Sequence, residues 1–148
     1  MHCSDDWDDN GLTVDESLQV AKELEKRGIT GIEFSGGNRD NENYPNTGPF
    51  RDKILKEEKQ SYFAIKTAII AEELEIPVIS VGGHRSPGLM GQILNSTKIE
   101  YFSMARTLLS EPDLVNRWQQ GDRGELRCVA CNKCWDKDGN ICIQDRRS

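Results

Sequence analysis

A run of β-branched residues that ends in two glycines constrains the fold more than any other feature. The run is Pro77-Val78-Ile79-Ser80-Val81, and Gly82-Gly83 follows it directly. A short apolar run bounded by glycine is typical of a strand that is buried on both faces, as strands of parallel sheets are. Parallel strands need long crossover connections, usually α-helices. This run therefore predicts a chain in which strands and helices alternate.

Helical and strand-like segments alternate on both sides of this run. Thr13 and Glu16 have the spacing of a capping box, which opens a helix that ends at Gly28. The other predicted segments are a strand fragment at about residues 1–4, a strand over residues 31–35, a helix from residue 61 to about residue 75, a helix over residues 87–95, a strand over residues 99–104 and a helix over residues 113–120. Alternating βα units imply a parallel sheet. Two α/β architectures satisfy this order, an open doubly wound sheet or part of a (β/α)8 barrel.

The helix predicted from residue 61 carries its apolar residues as a stripe that contains Tyr62, Ile65, Ala68 and Ile69. Residues at this spacing share one face of a helix. Before this helix, residues 36 to about 60 form a long polar loop. Loops of that length are usually functional or disordered.

Composition excludes several classes of protein. The chain has 148 residues, of which 36% are hydrophobic and 30% charged, which suits one ordinary domain with a real core. It holds no apolar run of about 18 residues and its acidic opening has no apolar segment, so we expect neither a membrane span nor a signal peptide. A net charge of −6 argues against nucleic acid as a partner. Five cysteines without an export signal make the reducing cytoplasm the expected compartment.

Two consecutive strand ends carry residues suited to binding an anion. In both candidate architectures, ligands bind at the carboxyl ends of the strands. Gly82-Gly83 follows one strand and would let backbone N–H groups approach a phosphate with no Cβ in the way. Arg106 follows the next strand and would add a guanidinium to the same phosphate. The alternative is that the glycine pair forms only a tight turn.

Four of the five cysteines lie close together near the C-terminus, at Cys128, Cys131, Cys134 and Cys142. The first three fit the start of a ferredoxin-type cluster, but the fourth lies too far along and lacks the proline that follows it in such clusters. Zinc sites usually pair two C-x2-C units across a longer gap. The spacing therefore favours free thiols at one end of a barrel, with a metal or iron–sulfur site as the alternative.

The remaining candidates have simpler interpretations. His84 follows the diglycine turn, and we expect a solvated loop histidine there, with ligand contact as the alternative. Trp7, Trp118 and Trp135 are expected to be packing residues. No Ser–His–Asp or Cys–His arrangement can be assigned from the sequence.

A set of segments in a fixed order carries a family resemblance over nearly the whole chain. The segments are Gly11-Leu12-Thr13, Glu16-Ser17, Gly31-Ile32-Glu33-Phe34-Ser35-Gly36-Gly37, Tyr62-Phe63, Pro77-Val78-Ile79-Ser80-Val81-Gly82-Gly83 and Arg106-Thr107-Leu108-Leu109-Ser110-Glu111-Pro112-Asp113-Leu114. This set resembles the C-terminal half of the old yellow enzyme family, which consists of FMN-dependent NAD(P)H:flavin oxidoreductases built on a (β/α)8 barrel. The closing segments Asn116-Arg117-Trp118, Gly121-Asp122 and Cys128-Val129-Ala130-Cys131-Asn132-Lys133-Cys134 are similar to one branch of that family.

The resemblance implies a cofactor and a set of residues that hold it. The cofactor would be FMN, with NAD(P)H as co-substrate and an activated alkene or similar small molecule as acceptor. Gly82, Gly83, Ala105 and Arg106 would hold the FMN phosphate. This chain departs from the family at Ala105, where Gly or Ser is usual, and at Thr107, where Pro is usual, so the turn loses the fixed φ of proline. Members with an iron–sulfur cluster space their cysteines more widely, so the resemblance argues against a cluster here.

The resemblance also implies the fold and its limits. Residues 1–127 would form an α/β C-terminal half-barrel of about four βα units, and residues 128–148 a cysteine-containing tail. A full barrel needs roughly 250 residues, so the catalytic groups are expected on strands missing from the front and remain unassigned. The expected function is that of a truncated FMN-dependent oxidoreductase with weak or no activity by itself. The alternatives are a non-catalytic half-barrel that forms a homo-oligomer or complements a separate N-terminal half, and a small cysteine-cluster metal protein.

Overall fold

The computed structural model describes residues 1–6, 10–38, 48–134 and 139–146, and they form an α/β fold. The elements in chain order are α1 (Val14–Lys26), β1 (Ile32–Phe34), a 3-10 turn (Glu57–Lys59), α2 (Ala64–Ala71), β2 (Val78–Val81), α3 (Pro87–Ser96), β3 (Ile99–Ser103), α4 (Arg106–Ser110) and α5 (Leu114–Gln119). Strands and helices alternate through β3, as the sequence predicts.

The described strands form one parallel sheet in the order β1-β2-β3. Ile32 pairs with Val78 and Val78 with Ile99, which places the first residues of the strands in one row. The N-terminal segment extends the sheet beside β1 by a single parallel bridge between His2 and Ser35. This arrangement is compatible with part of a (β/α)8 barrel. The complete half-barrel of about four βα units stays a prediction.

The core lies between the sheet and the first two helices. Phe34 and Val78 point from the strands into it, and Ala21 and Ile70 meet them from α1 and α2. Cys3 from the N-terminal segment belongs to the same buried cluster. One face of the sheet is therefore covered by helices, as expected for βα crossovers.

Helix α1 begins as its sequence predicts. The Thr13 hydroxyl accepts from the Glu16 backbone N–H at 3.2 Å, and the Glu16 carboxylate accepts from the Thr13 N–H at 2.9 Å. The predicted capping box is thus complete. Gly28 follows the helix with a φ of +89°, the left-handed conformation that suits a residue after a helix end.

The apolar stripe includes two residues on α2 that lie at the surface. Ile65 is 80% exposed and Ile69 is 52% exposed, whereas Thr67 and Ile70 on another face are buried. The helix also starts later, at Ala64, because the chain before it is bound to the diglycine turn. The Ser61 N–H donates to the Gly83 carbonyl at 3.3 Å.

The region after β3 also differs from its prediction. The strand ends at Ser103, and residues 106–110 form α4, for which the sequence gives no helical signal. A five-residue helix is too short to produce an apolar period. Helix α5 matches its prediction, and Trp118 on it is buried in a packing role. Trp7 and Trp135 lie outside the described residues.

In the part of the chain that the structure describes, no helix combines the length and the apolar character needed to cross a bilayer.

Candidate functional site

A cavity of about 270 Å³ lies at the carboxyl ends of the three strands. Gly82 and Gly83 line it after β2, and Ala105 and Arg106 line it after β3. The structure therefore brings all four predicted cofactor-binding residues to one cavity. The other lining residues are Ser35, Pro49, Phe50, Ile54, Tyr62, Val81, His84, Arg85, Ser103, Met104, Thr107, Leu109, Cys128, Cys134 and Asn140.

The diglycine turn has a conformation and a close contact that both require glycine. Gly82 has a φ of +120° and Gly83 a φ of +75°. A Cβ on Gly82 would lie 2.6 Å from the Phe63 ring, and one on Gly83 would lie 2.5 Å from the Tyr62 ring. The two aromatic rings pack edge to face with centroids 4.7 Å apart, directly against the turn. The glycine pair thus serves a tight packing contact as well as facing the cavity.

Arg106 is fixed on one side of its guanidinium. Its Nη1 donates to the backbone carbonyl of Arg51 at 2.8 Å and to the side-chain Oδ1 of Asn132. A guanidinium has five N–H donors, and both of these contacts use Nη1. Neither contact uses Nε or Nη2, which are the donors that an anion in the cavity would need.

Arg85 is a second cation that lines the cavity, and it is not among the residues predicted from the sequence. It is buried, and its Nη2 donates to the Cys128 carbonyl at 2.6 Å. The signal that points to it is a charged residue directly after a strand end that already carries Gly82 and Gly83. Arg85 adds positive charge near the diglycine turn.

The prediction of a solvated loop histidine at position 84 is wrong. His84 is 2% exposed and lies edge-on to Phe102, with ring centroids 4.6 Å apart. Its Nε2 donates to the Ser80 carbonyl at 2.9 Å, so its Nδ1 accepts from the Ser61 hydroxyl, also at 2.9 Å. The positive φ angles of Gly82 and Gly83 turn the chain back after β2, which is why His84 ends in the interior and not in a solvated loop.

Burial keeps His84 neutral. Desolvation lowers the pKa of His84 from 6.5 to about 4, although the hydrogen bond to the Ser80 carbonyl favours the protonated ring. The neutral ring connects β2 to Ser61, the residue that precedes Tyr62. His84 thus joins the diglycine turn to the segment that packs on it.

The four C-terminal cysteines line a smaller cleft beside the cavity, together with Arg106. Cys128 and Cys142 are buried, Cys134 is half-buried and Cys131 is exposed. Burial raises the pKa of the Cys134 thiol, and the charge of Arg106 opposes this shift. Among the described residues, no group of three or more histidines, cysteines and carboxylates has a metal-binding arrangement.

The cysteine-containing tail contributes to the main cavity. Cys128 and Cys134 line it, and Asn132 between them contacts Arg106. The predicted boundary between residues 127 and 128 therefore separates segments that meet at the same cavity. The division into two domains stays a prediction.

A charged cluster at the carboxyl end of the N-terminal segment is likewise not predicted from the sequence. Asp6 pairs with Arg51 and Lys66, and Lys66 Nζ lies 2.7 Å from the Ser4 hydroxyl. The Arg51 guanidinium lies over the Tyr62 ring, 4.5 Å from its centroid. Because these residues are far apart in sequence, no local pattern indicates the cluster. It connects the N-terminal segment to the loop that also receives the Arg106 hydrogen bond.

A solved structure, the 2-naphthoyl-CoA reductase in complex with 2-naphthoyl-CoA, shares this fold. The two superpose with a TM-score of 0.68 at 16% sequence identity, over 90% of this chain and 19% of the other. At that identity the likeness establishes the fold alone. No family model matches the chain.

The curated relatives are oxidoreductases. The chain is 32% identical over 141 residues to a bilirubin reductase of Mediterraneibacter gnavus, covering 93% of this chain and 20% of that protein. It is 27% identical over 130 residues to an NADH oxidase of Thermoanaerobacter brockii, covering 87% of this chain and 19% of that protein. A metal reductase of Desulforamulus reducens is 27% identical over 126 residues, covering 84% of this chain and 18% of that protein. The chain thus spans about a fifth of the length of these relatives.

Proposed function

We propose that this chain supplies the phosphate-binding part of an FMN-dependent oxidoreductase of the old yellow enzyme type. The observation that carries the proposal is the meeting of Gly82, Gly83, Ala105 and Arg106 at one cavity beyond the carboxyl ends of β2 and β3. The similarity to named reductases and an NADH oxidase supports redox chemistry of this general kind.

The residues present fit the phosphate of FMN. Arg106 lines the same cavity as the glycine turn, and its Nη1 is fixed by Arg51 and Asn132, so the guanidinium could offer charged N–H donors to a phosphate. Arg85 adds a second buried cation to the same wall. The lining also includes the aromatic Phe50 and the aliphatic Ile54, and apolar surroundings strengthen the attraction of a cation for an anion.

The proposed reaction is the transfer of hydride from NAD(P)H through FMN to an activated alkene or a similar acceptor. FMN, when bound, supplies the hydride chemistry, and this chain binds and orients it. The groups that would protonate or anchor the acceptor are not assigned on this chain. Because the chain spans about a fifth of its curated relatives, we propose weak or no turnover by the isolated chain.

A flavin titration with a size measurement tests this proposal. FMN should bind more tightly than riboflavin, because only FMN carries the phosphate. Arg106→Ala should weaken FMN binding by about 1.5–3 kcal/mol, the loss expected for a hydrogen bond to a charged group, and should leave riboflavin binding nearly unchanged. Arg27→Ala is the matched control, because Arg27 is an exposed residue paired with Glu23 on α1. Equal affinity for FMN and riboflavin in the unaltered protein would refute a phosphate site.

The second candidate is a non-catalytic half-barrel that associates with a second copy or with a separate N-terminal half. The observation that favours it is the sheet face opposite α1 and α2. Glu33 and Tyr101 flank Ile79 in one register row on that face, and both are exposed. Protein that is colourless, inactive and oligomeric would favour this function over the first.

A further inference from the structure

Asn132 occupies a backbone conformation that few residues adopt without cost. Its φ is +57°, in the left-handed region that asparagine tolerates better than most residues other than glycine. It lies between Cys131 and Cys134, in a segment that forms a turn beside the cavity. Both polar atoms of its side chain, Oδ1 and Nδ2, form hydrogen bonds.

The Asn132 amide connects Arg106 to a distant loop. Its Oδ1 accepts from Arg106 Nη1, and its Nδ2 donates to the backbone carbonyl of Phe50 at 2.7 Å. The neighbouring Arg51 carbonyl accepts from the same Nη1 at 2.8 Å. Arg106 Nη1 is therefore held between a side-chain oxygen and a backbone oxygen that belong to two separate segments. The Phe50 contact in turn fixes the orientation of the Asn132 amide.

The chemistry of the amide suits a residue that positions a cation for an anionic ligand. A carboxylate at this place would also accept from Arg106, but it would neutralise the guanidinium. The neutral amide oxygen orders the guanidinium and leaves its positive charge available. The donor end of the amide, at Phe50, is used for a contact that a carboxylate could not make.

We propose that Asn132 is a positioning residue for Arg106, which it orients toward the phosphate of the bound cofactor. The inference rests on the proposed function for the identity of the ligand, but the contact between Asn132 and Arg106 is independent of any ligand. In this proposal Asn132 acts through Arg106, the residue that donates to its Oδ1. Through Asn132, the cysteine-containing tail would contribute to the cofactor site.

Two variants at position 132 separate the ordering of the Arg106 guanidinium from the neutralisation of its charge. Asn132→Gly accepts the left-handed φ and removes both side-chain contacts, whereas Asn132→Asp keeps an acceptor for Arg106 and adds a negative charge. Asn95→Ala is the control, because it removes an exposed asparagine from α3. Each protein is titrated with FMN and with riboflavin, and the quantity compared is the riboflavin-to-FMN ratio of dissociation constants.

We expect the ratio to fall roughly tenfold in Asn132→Gly, the loss expected for one hydrogen bond to a charged group. It should fall at least as far in Asn132→Asp and stay unchanged in Asn95→Ala. A merely structural role would weaken both flavins equally and leave the ratio unchanged. That result would overturn the proposal.

A second measurement needs no cofactor. The ¹⁵N–¹H signal of the Arg106 side-chain Nε reports the mobility of the guanidinium by NMR. It should become mobile in Asn132→Gly and stay ordered in Asn132→Asp. An equally ordered Arg106 in Asn132→Gly would overturn the proposal whatever the flavin data. If the unaltered protein binds neither flavin, the proposed function fails, and the mobility of Arg106 still decides whether Asn132 positions it.

Discussion

At the scale of single residues, the molecule depends on a buried imidazole that must stay neutral. The two hydrogen bonds of His84 assign one ring nitrogen as donor and the other as acceptor. Protonation would put a second N–H against the Ser61 hydroxyl and a charge into the core. The hydroxyl can rotate to accept, but among the described residues no carboxylate pairs with His84 to compensate for the desolvation of the charge. The free energy of unfolding therefore depends on the protonation state of His84, and through it on the pH of the solution.

We expect the free energy of unfolding to decrease as the pH falls from about 6.5 to about 4. The pKa of His84 is lowered to about 4 in the fold, so the unfolded chain binds a proton in this interval that the folded chain refuses. The contribution of neutral His84 to the free energy of unfolding is fully present above pH 6.5. Roughly 3 kcal/mol of it is lost when the pH has fallen to 4. Urea unfolding of His84→Gln should show a correspondingly flatter pH dependence. The exposed His2→Gln is the control, and a dependence equally steep in His84→Gln would contradict the assignment.

Gly82 gives a prediction about stability that is independent of any cofactor. Gly82→Ala places a Cβ 2.6 Å from the fully buried Phe63 ring at a φ of +120°. We expect a loss of about 2 kcal/mol or more in the free energy of unfolding, from backbone strain plus the overlap. Gly91→Ala on α3 is the control, because its Cβ meets nothing within 4 Å. It should stabilise the protein by about 0.5–1 kcal/mol. If Gly82→Ala and Gly91→Ala changed the free energy of unfolding equally, Tyr62 and Phe63 would have moved to accommodate the new Cβ, and the prediction would be wrong.

At the scale of elements, α1 is fixed by its own sequence. Thr13→Ala removes the side-chain acceptor for the Glu16 N–H and also a hydroxyl that donates to the Glu16 carboxylate at 2.8 Å. We expect about 1 kcal/mol of destabilisation in chemical unfolding, the usual cost of losing a cap. Thr30→Ala is the control, because Thr30 is exposed outside the helix. A loss of the same size in both variants would mean that the cap contributes nothing of its own.

The elements that follow their predictions are those with local signals. The capping box of α1, the β-branched run of β2 and the proline that opens α3 are all determined by residues within one turn or one strand. The register of β3 is different. An irregularity between Val78 and Ile79 leaves Glu100 without a partner in the pairing, and Glu100 and Tyr101 are consecutive exposed residues. Such an irregularity depends on the neighbouring strand, so alternation along β3 alone cannot predict it.

The sequence predicts only those residues of the site that lie at the ends of strands. Gly82, Gly83 and Arg106 are found because the carboxyl ends of neighbouring parallel strands meet at one edge of a sheet. Asp6 and Asn132 are not found, because their partners are 45 and 26 residues away along the chain. Contacts at that separation depend on the tertiary fold. The burial of His84 is not predictable for the same reason, since it depends on Phe102 and Ser61.

At the scale of the whole molecule, the sheet presents a mixed face opposite its helices. Tyr101 is 56% exposed there, and Glu33 is exposed in the same register row, with Ile79 between them. A phenol and an aliphatic side chain side by side favour contact with another surface, because their burial releases water. β3 ends the sheet of described strands, so its edge also offers backbone groups for pairing.

We expect purified protein to associate through this face in a concentration-dependent way, measured by sedimentation velocity. Tyr101→Glu should shift the protein toward monomer, because it places a second carboxylate about 10 Å from Glu33, two strand spacings away, and both would have to lose water in an interface. Val20→Glu is the control, because Val20 is 48% exposed on α1, away from that face. An unaltered protein that stays monomeric at every concentration would contradict the prediction. Dissociation by Val20→Glu but not by Tyr101→Glu would place the contact on the helices instead of on the sheet.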